Sequence, residues 1–146
     1  MDISIVITPS EILESVGMHS AYVGDRFVGD ETAYGRISTT QSEEAMLTEA
    51  LLDGRNVLIK TLEPFISSMV LEGSVWGIEC SFPSRASSHA LACIGDDANS
   101  YLRSFVLSKW YMVTNKQEAQ AEALVAQGFL ESIRTAIYTR TKPTRK

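Results

Sequence analysis

The sequence predicts a mainly α fold, a helical bundle around a C-terminal αα-hairpin, with a small β-strand or hairpin excursion at about residues 74–94. Three observations lead to this prediction. Two apolar stripes with helical spacing flank a short turn near the C-terminus, and two helix-start signatures lie in the first half of the chain. Between the second of these signatures and the C-terminal stripes, one stretch alternates apolar and polar residues.

The C-terminal hairpin is predicted from the spacing on either side of a turn at Thr114–Asn115. In the second helix, six apolar residues recur at alternating steps of four and three, which places them on one face: Ala119, Ala123, Ala126, Leu130, Ile133 and Ile137. The first helix carries a wider band, which indicates burial on more than one side: Tyr101, Leu102, Phe105, Val106, Leu107, Trp110, Tyr111 and Val113. Side chains of Thr114 or Asn115 are expected to cap the second helix, and Asp97 the first.

The N-terminal segment predicts an extended stretch followed by a short helix. Apolar residues alternate from Ile3 to Ile7, and Thr8, Pro9 and Glu11 then form a helix start with a cap, a proline and a capping-box acid. Gly17 is the expected end of this helix. Residues 18–38 lack periodicity, so an irregular loop is predicted there.

A second capping box at 40–43 predicts a longer helix, and Pro64 is expected to end or kink it at Glu63. Gly54 lies within its apolar stripe at a cost of ~1 kcal/mol relative to alanine. We therefore expect another helix to pack closely at this glycine. Beyond the proline, residues 65–71 are expected to add one or two further helical turns.

The period changes in the segment that follows. Trp76, Ile78, Cys80 and Phe82 alternate with small or polar residues, which predicts a half-buried strand that Pro83 ends. Residues 89–94 fit either a second strand, completing a hairpin, or a short helix.

Charge is distributed unevenly along the chain, whose formal net charge is −5. Residues 1–63 carry eleven acids and four bases, whereas residues 116–146 carry three acids and six bases. We expect one helical domain over residues 1–138 and a basic flexible tail over 139–146. The tail provides the candidate partner-binding residues: Arg140, Lys142, Arg145 and Lys146. Either they form a solvated terminus, or they dock on an acidic surface or DNA.

Neither a catalytic residue, nor a metal ligand, nor a cofactor site is predicted. His19 and His89 stand in separate segments, and the adjacent acids Asp96 and Asp97 fit a helix start better than a cation site. The two cysteines, at 80 and 93, either pair across a hairpin or are reduced core thiols. The second reading is favoured because neither a secretory signal nor a membrane span is expected.

The order of these pieces resembles that of a known family. The segments ITPSEILESVGM, SEEAMLTEALLDGRNVLIKTLEPF and YLRSFVLSKWYMVTNKQEAQAEALVAQGFLESIRTAIYTRTKP together resemble the small helical head–tail connector (adaptor) proteins of tailed bacteriophages and prophages. The loop at 18–38 and the strand at 74–94 depart from a minimal connector.

The resemblance implies a structural virion protein without catalysis or cofactor, assembled in the host cytoplasm. It implies a ring of copies at the head–tail junction, in contact with portal or tail proteins. No membrane contact is expected, and any DNA contact is expected to be independent of sequence. The alternative is a small bacterial protein-interaction module or regulator, also without catalytic activity.

Overall fold

The computed structural model describes residues 1–25 and 44–143. Its elements follow in the order β1 (Asp2–Ile7), α1 (Pro9–Asp25), α2 (Glu44–Leu62), β2 (Ile66–Val70), β3 (Trp76–Ser81), α3 (Ser88–Leu91), α4 (Ile94–Thr114) and α5 (Lys116–Tyr138). The predicted class is confirmed: the fold is mainly helical, with a small three-stranded antiparallel sheet.

Helix α4 lies at the centre of the packing. It contacts α5 along most of its length and also packs against α1, α2 and β1. Leu102, Leu107 and Tyr111 are fully buried there, and each side chain of this size contributes roughly 1.5–3 kcal/mol by leaving water. The predicted hairpin core is therefore confirmed, although Val113, in the last turn of α4, is 74% exposed.

The stripe predicted on α5 is confirmed at every position except one. Ala119, Ala126, Leu130, Ile133 and Ile137 are buried against the core, whereas Ala123 is exposed. The spacing assigns all six to one face, but no neighbouring side chain among the described residues covers the alanine in the middle of that face.

Two predicted helix caps are wrong. Helix α4 begins at Ile94, so Asp97 lies in its first turn, where its backbone N–H donates to the carbonyl of Cys93. Ile94 is itself buried, and this packing starts the helix earlier than a polar cap would. Asn115 does occupy the N-cap position of α5, but its side chain makes no capping hydrogen bond.

Helix α1 starts at Pro9 as predicted, with the Thr8 carbonyl accepting from the backbone of Ile12. It does not stop at Gly17 but continues to Asp25, so the loop prediction is wrong for residues 18–25. Packing of α1 on α4 outweighs the ~1 kcal/mol cost of a glycine within a helix. The rest of the predicted loop and the capping box at 40–43 lie outside the described residues.

Helix α2 ends at Leu62, and a 3₁₀ turn over Glu63–Phe65 contains Pro64. The close helix contact expected at Gly54 is confirmed, because a Cβ built there would lie 2.9 Å from Cδ1 of Phe105 in α4. The expected continuation of the helix over 65–71 is wrong. Residues 66–70 instead pair with β3, since the proline interrupts the helical hydrogen bonds just before them.

The predicted strand is confirmed as β3, the centre of a sheet with the order β1-β3-β2. Trp76, Ile78, Cys80 and Phe82 are all buried. Ile78 of β3 lies between two antiparallel partners, opposite Ile5 of β1 on one side and opposite Met69 of β2 on the other. Gly73 makes the intervening turn with φ of 93°, a conformation that glycine adopts without strain.

The strand alternative for residues 89–94 is wrong and the helical one is confirmed. Residues 88–91 form the short helix α3, whose N-cap Ser87 accepts a hydrogen bond from the backbone N–H of Ala90. The partners of β3 therefore come from the N-terminus and from residues 66–70, not from the residues that follow it.

Candidate functional site

A depression of about 610 Å³ lies beside the C-terminal hairpin. Helices α4 and α5 supply most of its lining, and α2 contributes Val57. The lining is largely apolar: it includes Tyr101, Phe105, Met112, Ala119, Ala123, Ala126 and Leu130, together with the polar Ser108, Lys109, Lys116, Gln120 and Gln127.

Small side chains on α5 create this space. The side chains of Ala119, Ala123 and Ala126 end at Cβ, so the half of the helix nearest the turn leaves room above the aromatic rings of α4. Helix α2 packs against α4 but makes few contacts with α5. The depression therefore lies where α2 and α5 diverge on one side of α4.

The charges at its edge are positive. Lys109 and Lys116 line the depression, and Nζ of Lys109 lies 5.3 Å from the centre of the Phe105 ring, a cation–π distance. No carboxylate among the described residues lines it. Ser108 donates its hydroxyl proton to the Phe105 carbonyl at 2.7 Å, which leaves the lysines as the strongest polar groups.

A second depression, of about 410 Å³, shares the lining residue Val57 with the first. It runs between the C-terminal halves of α2 and α5, past Pro64 and Tyr138, and its charged lining residues are Lys60 and Arg134. Arg134 forms an ion pair with Glu131 on its own helix. We call the two depressions together the basic groove.

Several apolar side chains are exposed on the two helices of the hairpin. Met112 and Val113 project from the end of α4, and Leu124 and Val125 from the first half of α5, where Leu124 is 76% exposed.

The structure describes only part of the predicted basic tail. Arg140 and Lys142 are exposed, whereas Arg145 and Lys146 lie outside the described residues. Residues 139 and 141 of the expected flexible tail are hydrogen-bonded to the segment that precedes α3. The Thr139 carbonyl accepts from the backbone of Ser87, and the Thr141 N–H donates to the carbonyl of Arg85 at 2.7 Å.

These contacts hold Arg140 in place, with its side chain donating to the Ile137 carbonyl at 2.8 Å. The guanidinium thus stabilises the C-terminal end of α5, where the carbonyls carry partial negative charge. Neither Arg140 nor Lys142 lines the basic groove. The tail residues and the groove lysines are therefore separate basic features.

A polar contact on another side of the hairpin joins three helices. Nδ1 of His19 in α1 lies 3.0 Å from the Tyr111 hydroxyl in α4, and Nε2 lies 3.5 Å from Oε1 of Glu122 in α5. With the proton on Nε2, the neutral imidazole donates toward Glu122 and accepts from Tyr111. Sequence spacing assigns His19 no partner, because its two contacts are distant along the chain.

The cysteines are both free, and only Cys80 belongs to the core. The expectation of two core thiols is therefore wrong for Cys93, which is exposed. Burial, and secondarily the negative charge of Glu79, raises the pKa of the Cys80 thiol to about 11. Burial also raises the pKa of Tyr101, against the opposing effect of Arg134.

Over the described ranges 1–25 and 44–143, no group of three or more His, Cys, Asp or Glu side chains converges as a metal site. Within the same ranges, no helix combines the length and apolarity needed to span a bilayer.

Sequence reasoning missed the basic groove because its members come from three helices. The exposed Ala123 and the lysines at 60, 109 and 116 carry no local signal that they share a surface.

Comparison with protein-family models, with curated proteins and with solved structures finds no match to this chain.

Proposed function

We propose that this chain is a non-catalytic assembly protein that binds another protein in its basic groove. The observation that carries the proposal is the groove itself, an apolar depression between helices whose lining charges, among the described residues, are all cationic. Apolar contact area supplies affinity for a partner, while lysines at the edge select partners of opposite charge and accelerate encounter.

The place that we propose for this assembly protein is the head–tail junction of a phage or prophage particle, in a ring of copies joined to portal or tail proteins. Support comes from the order of the helical segments and from the uneven charge of the chain. Rings require one surface of a copy to meet a different surface of its neighbour. The groove carries only cationic lining charges among the described residues, while residues 1–63 hold eleven acids that a groove of that sign could attract.

A non-catalytic bacterial interaction module or regulator would use the same groove, and gene context separates the two functions. A connector gene is expected beside portal, capsid or tail genes, whereas the gene of a regulator has no reason to lie there. An isolated gene, remote from every virion gene, would count against the connector.

The functional test is complementation with a groove-filling variant. A phage or prophage lacking this gene is supplied with the wild-type chain, Ala123→Trp or Ala121→Trp, and tailed particles and tailless heads are counted by electron microscopy. Both alanines are exposed on α5, but only Ala123 lines the groove. The indole at position 123 is expected to block joining, and the indole at 121 to leave it intact.

Equal joining by both variants would remove the groove from the function. Normal joining without any gene product would remove the connector role altogether. Melting curves for both variants establish that a loss of joining comes from the filled groove and not from unfolding.

A further inference from the structure

We infer that the occupant of the basic groove is an acidic amphipathic α-helix of a partner protein. This inference rests on the proposed function and adds the chemical class of the partner. Three observations support it. The groove has the shape of a trough between α2 and α5, and every described charge that lines it is positive. The described lining comes from helices, so it offers no sheet edge to an extended peptide.

Shape favours a helix. Two helices that pack on α4 but diverge from each other leave a trough of the kind that a further helix fills in a bundle. The α5 residues that line its two depressions lie between Lys116 and Tyr138, a span of about 33 Å at ~1.5 Å per residue. A partner helix of about 20 residues would match that length.

Apolar groups in the groove match the apolar face of such a helix. Phe105 and Met112 of α4, and Val57 of α2, present hydrophobic surface, and Met112 is 58% exposed. Small residues let a helix backbone approach closely, and Ala123 provides that approach on α5. Anchors spaced by three and four residues on the partner would contact these groups.

Charge determines the polar side of the partner. Lys60, Lys109, Lys116 and Arg134 line the groove, and no described carboxylate does, although the chain as a whole carries a net charge of −5. Arg134 is paired with Glu131, while no ion pair joins the three lysines to a described carboxylate. Glutamates or aspartates along the edges of the partner helix would complement the lysines.

An extended peptide fits this surface less well. A strand binds by adding to the edge of a sheet, whereas side chains of three helices form the described lining of the basic groove. A nucleic acid would use the lysines but would set its phosphates against a largely apolar lining.

The binding test uses a displayed library of 20-residue peptides. Apolar residues are fixed at helical spacing, and the remaining positions encode Glu, Lys and Gln in equal proportion. Selection on the wild-type protein is expected to enrich Glu over Lys at least tenfold. The selected peptides are expected to lose at least tenfold in affinity for Ala123→Trp and little for Ala121→Trp.

Charge reversal provides an independent measurement at exposed positions. Lys60→Glu and Lys116→Glu are each expected to weaken binding of the selected peptides severalfold and to shift selection toward Lys. Lys142→Glu, which reverses an exposed charge outside the groove, is the control and is expected to change neither.

The inference would be overturned if selection recovered Glu and Lys equally. It would also be overturned if the affinity of the selected peptides were unchanged by Ala123→Trp and by the charge reversals at Lys60 and Lys116. Displacement of the peptides by a single-stranded oligonucleotide would overturn it as well, since that result would indicate a nucleic acid as occupant. These results are separate from the complementation test. If filling the groove abolishes joining and acidic helices do not bind, the function stands and this partner class is wrong.

Discussion

Nδ1 of His19 lies 3.0 Å from the hydroxyl oxygen of Tyr111, joining α1 to α4 across 92 residues of sequence. The tyrosine is fully buried, and the other imidazole nitrogen faces Glu122 of α5. One imidazole thus connects the N-terminal helix to both helices of the hairpin, on a surface that does not line the basic groove.

Tyr111→Phe is expected to lower the free energy of unfolding by about 0.5–1.5 kcal/mol, the usual net contribution of a hydrogen bond. The ring remains buried, so the loss reports the hydroxyl. Tyr138→Phe removes a hydroxyl from a side chain that is 58% exposed and is expected to change little. Chemical denaturation measures both, and equal losses would show that the contact with His19 adds nothing.

Ile133→Asp is expected to unfold the protein or make it insoluble, because Ile133 is fully buried and an unpaired carboxylate there costs several kcal/mol. The control is Leu124→Asp, the same class of change at an exposed position on the same helix, which is expected to retain the fold. Circular dichroism melting distinguishes them. A melting temperature for Ile133→Asp within about a degree of wild type would refute the hairpin core.

Two helical glycines are expected to respond differently to alanine. A Cβ added at Gly128 in α5 would meet no described neighbour within 4 Å, so Gly128→Ala is expected to stabilise by about 0.5–1 kcal/mol through helix propensity. At Gly54 the same gain is opposed by a contact of 2.9 Å with the Phe105 ring. Gly54→Ala is therefore expected to stabilise the protein less than Gly128→Ala does, or to destabilise it. Chemical denaturation measures the free energy of unfolding of both variants. A gain at Gly54 equal to that at Gly128 would contradict the close packing of α2 on α4.

Truncation separates the anchored and terminal parts of the tail. Removing residues 143–146 is expected to leave the melting temperature unchanged. Removing residues 139–146 also deletes the backbone hydrogen bonds to Arg85 and Ser87, with an expected loss of about 1–3 kcal/mol. Identical melting of the two truncations would show that these bonds contribute nothing to stability.

Thiol reactivity should differ between the cysteines. An aromatic disulfide reagent is expected to modify the exposed Cys93 rapidly at pH 8 and to modify Cys80 only on unfolding, because Cys80 is buried and its pKa is raised to about 11. Cys93→Ser leaves a single protected thiol as the control. Rapid reaction of that variant would place Cys80 outside the core.

The same pKa shift predicts a direction for alkaline stability. The folded thiol holds its proton to about pH 11, while the unfolded one releases it near its ordinary pKa of 9.0. The stability due to the neutral thiol is therefore present below pH 9 and is lost as the pH rises from about 9 to 11. Cys80→Ala is expected to show a smaller loss over that range in urea titrations at each pH.

Much of the fold was determined by the sequence alone, where local periodicity and backbone chemistry act over a few residues. Alternation from Trp76 to Phe82 defined the central strand, and the recurrence from Ala119 to Ile137 defined the hairpin. Pro9 and Pro64 marked a helix start and a helix end because a proline lacks the backbone donor at any position in any fold.

Tertiary packing determined the features that the local sequence patterns did not predict or predicted wrongly. Helix α1 runs through Gly17 because its face packs on α4, and residues 66–70 form a strand because β3 offers them an edge. Ala123 belongs to the apolar stripe by its spacing, yet it lines an open groove because α2 and α5 diverge around it. The basic groove exists only where three helices meet, since burial and charge complementarity depend on neighbours that sequence separates by dozens of residues.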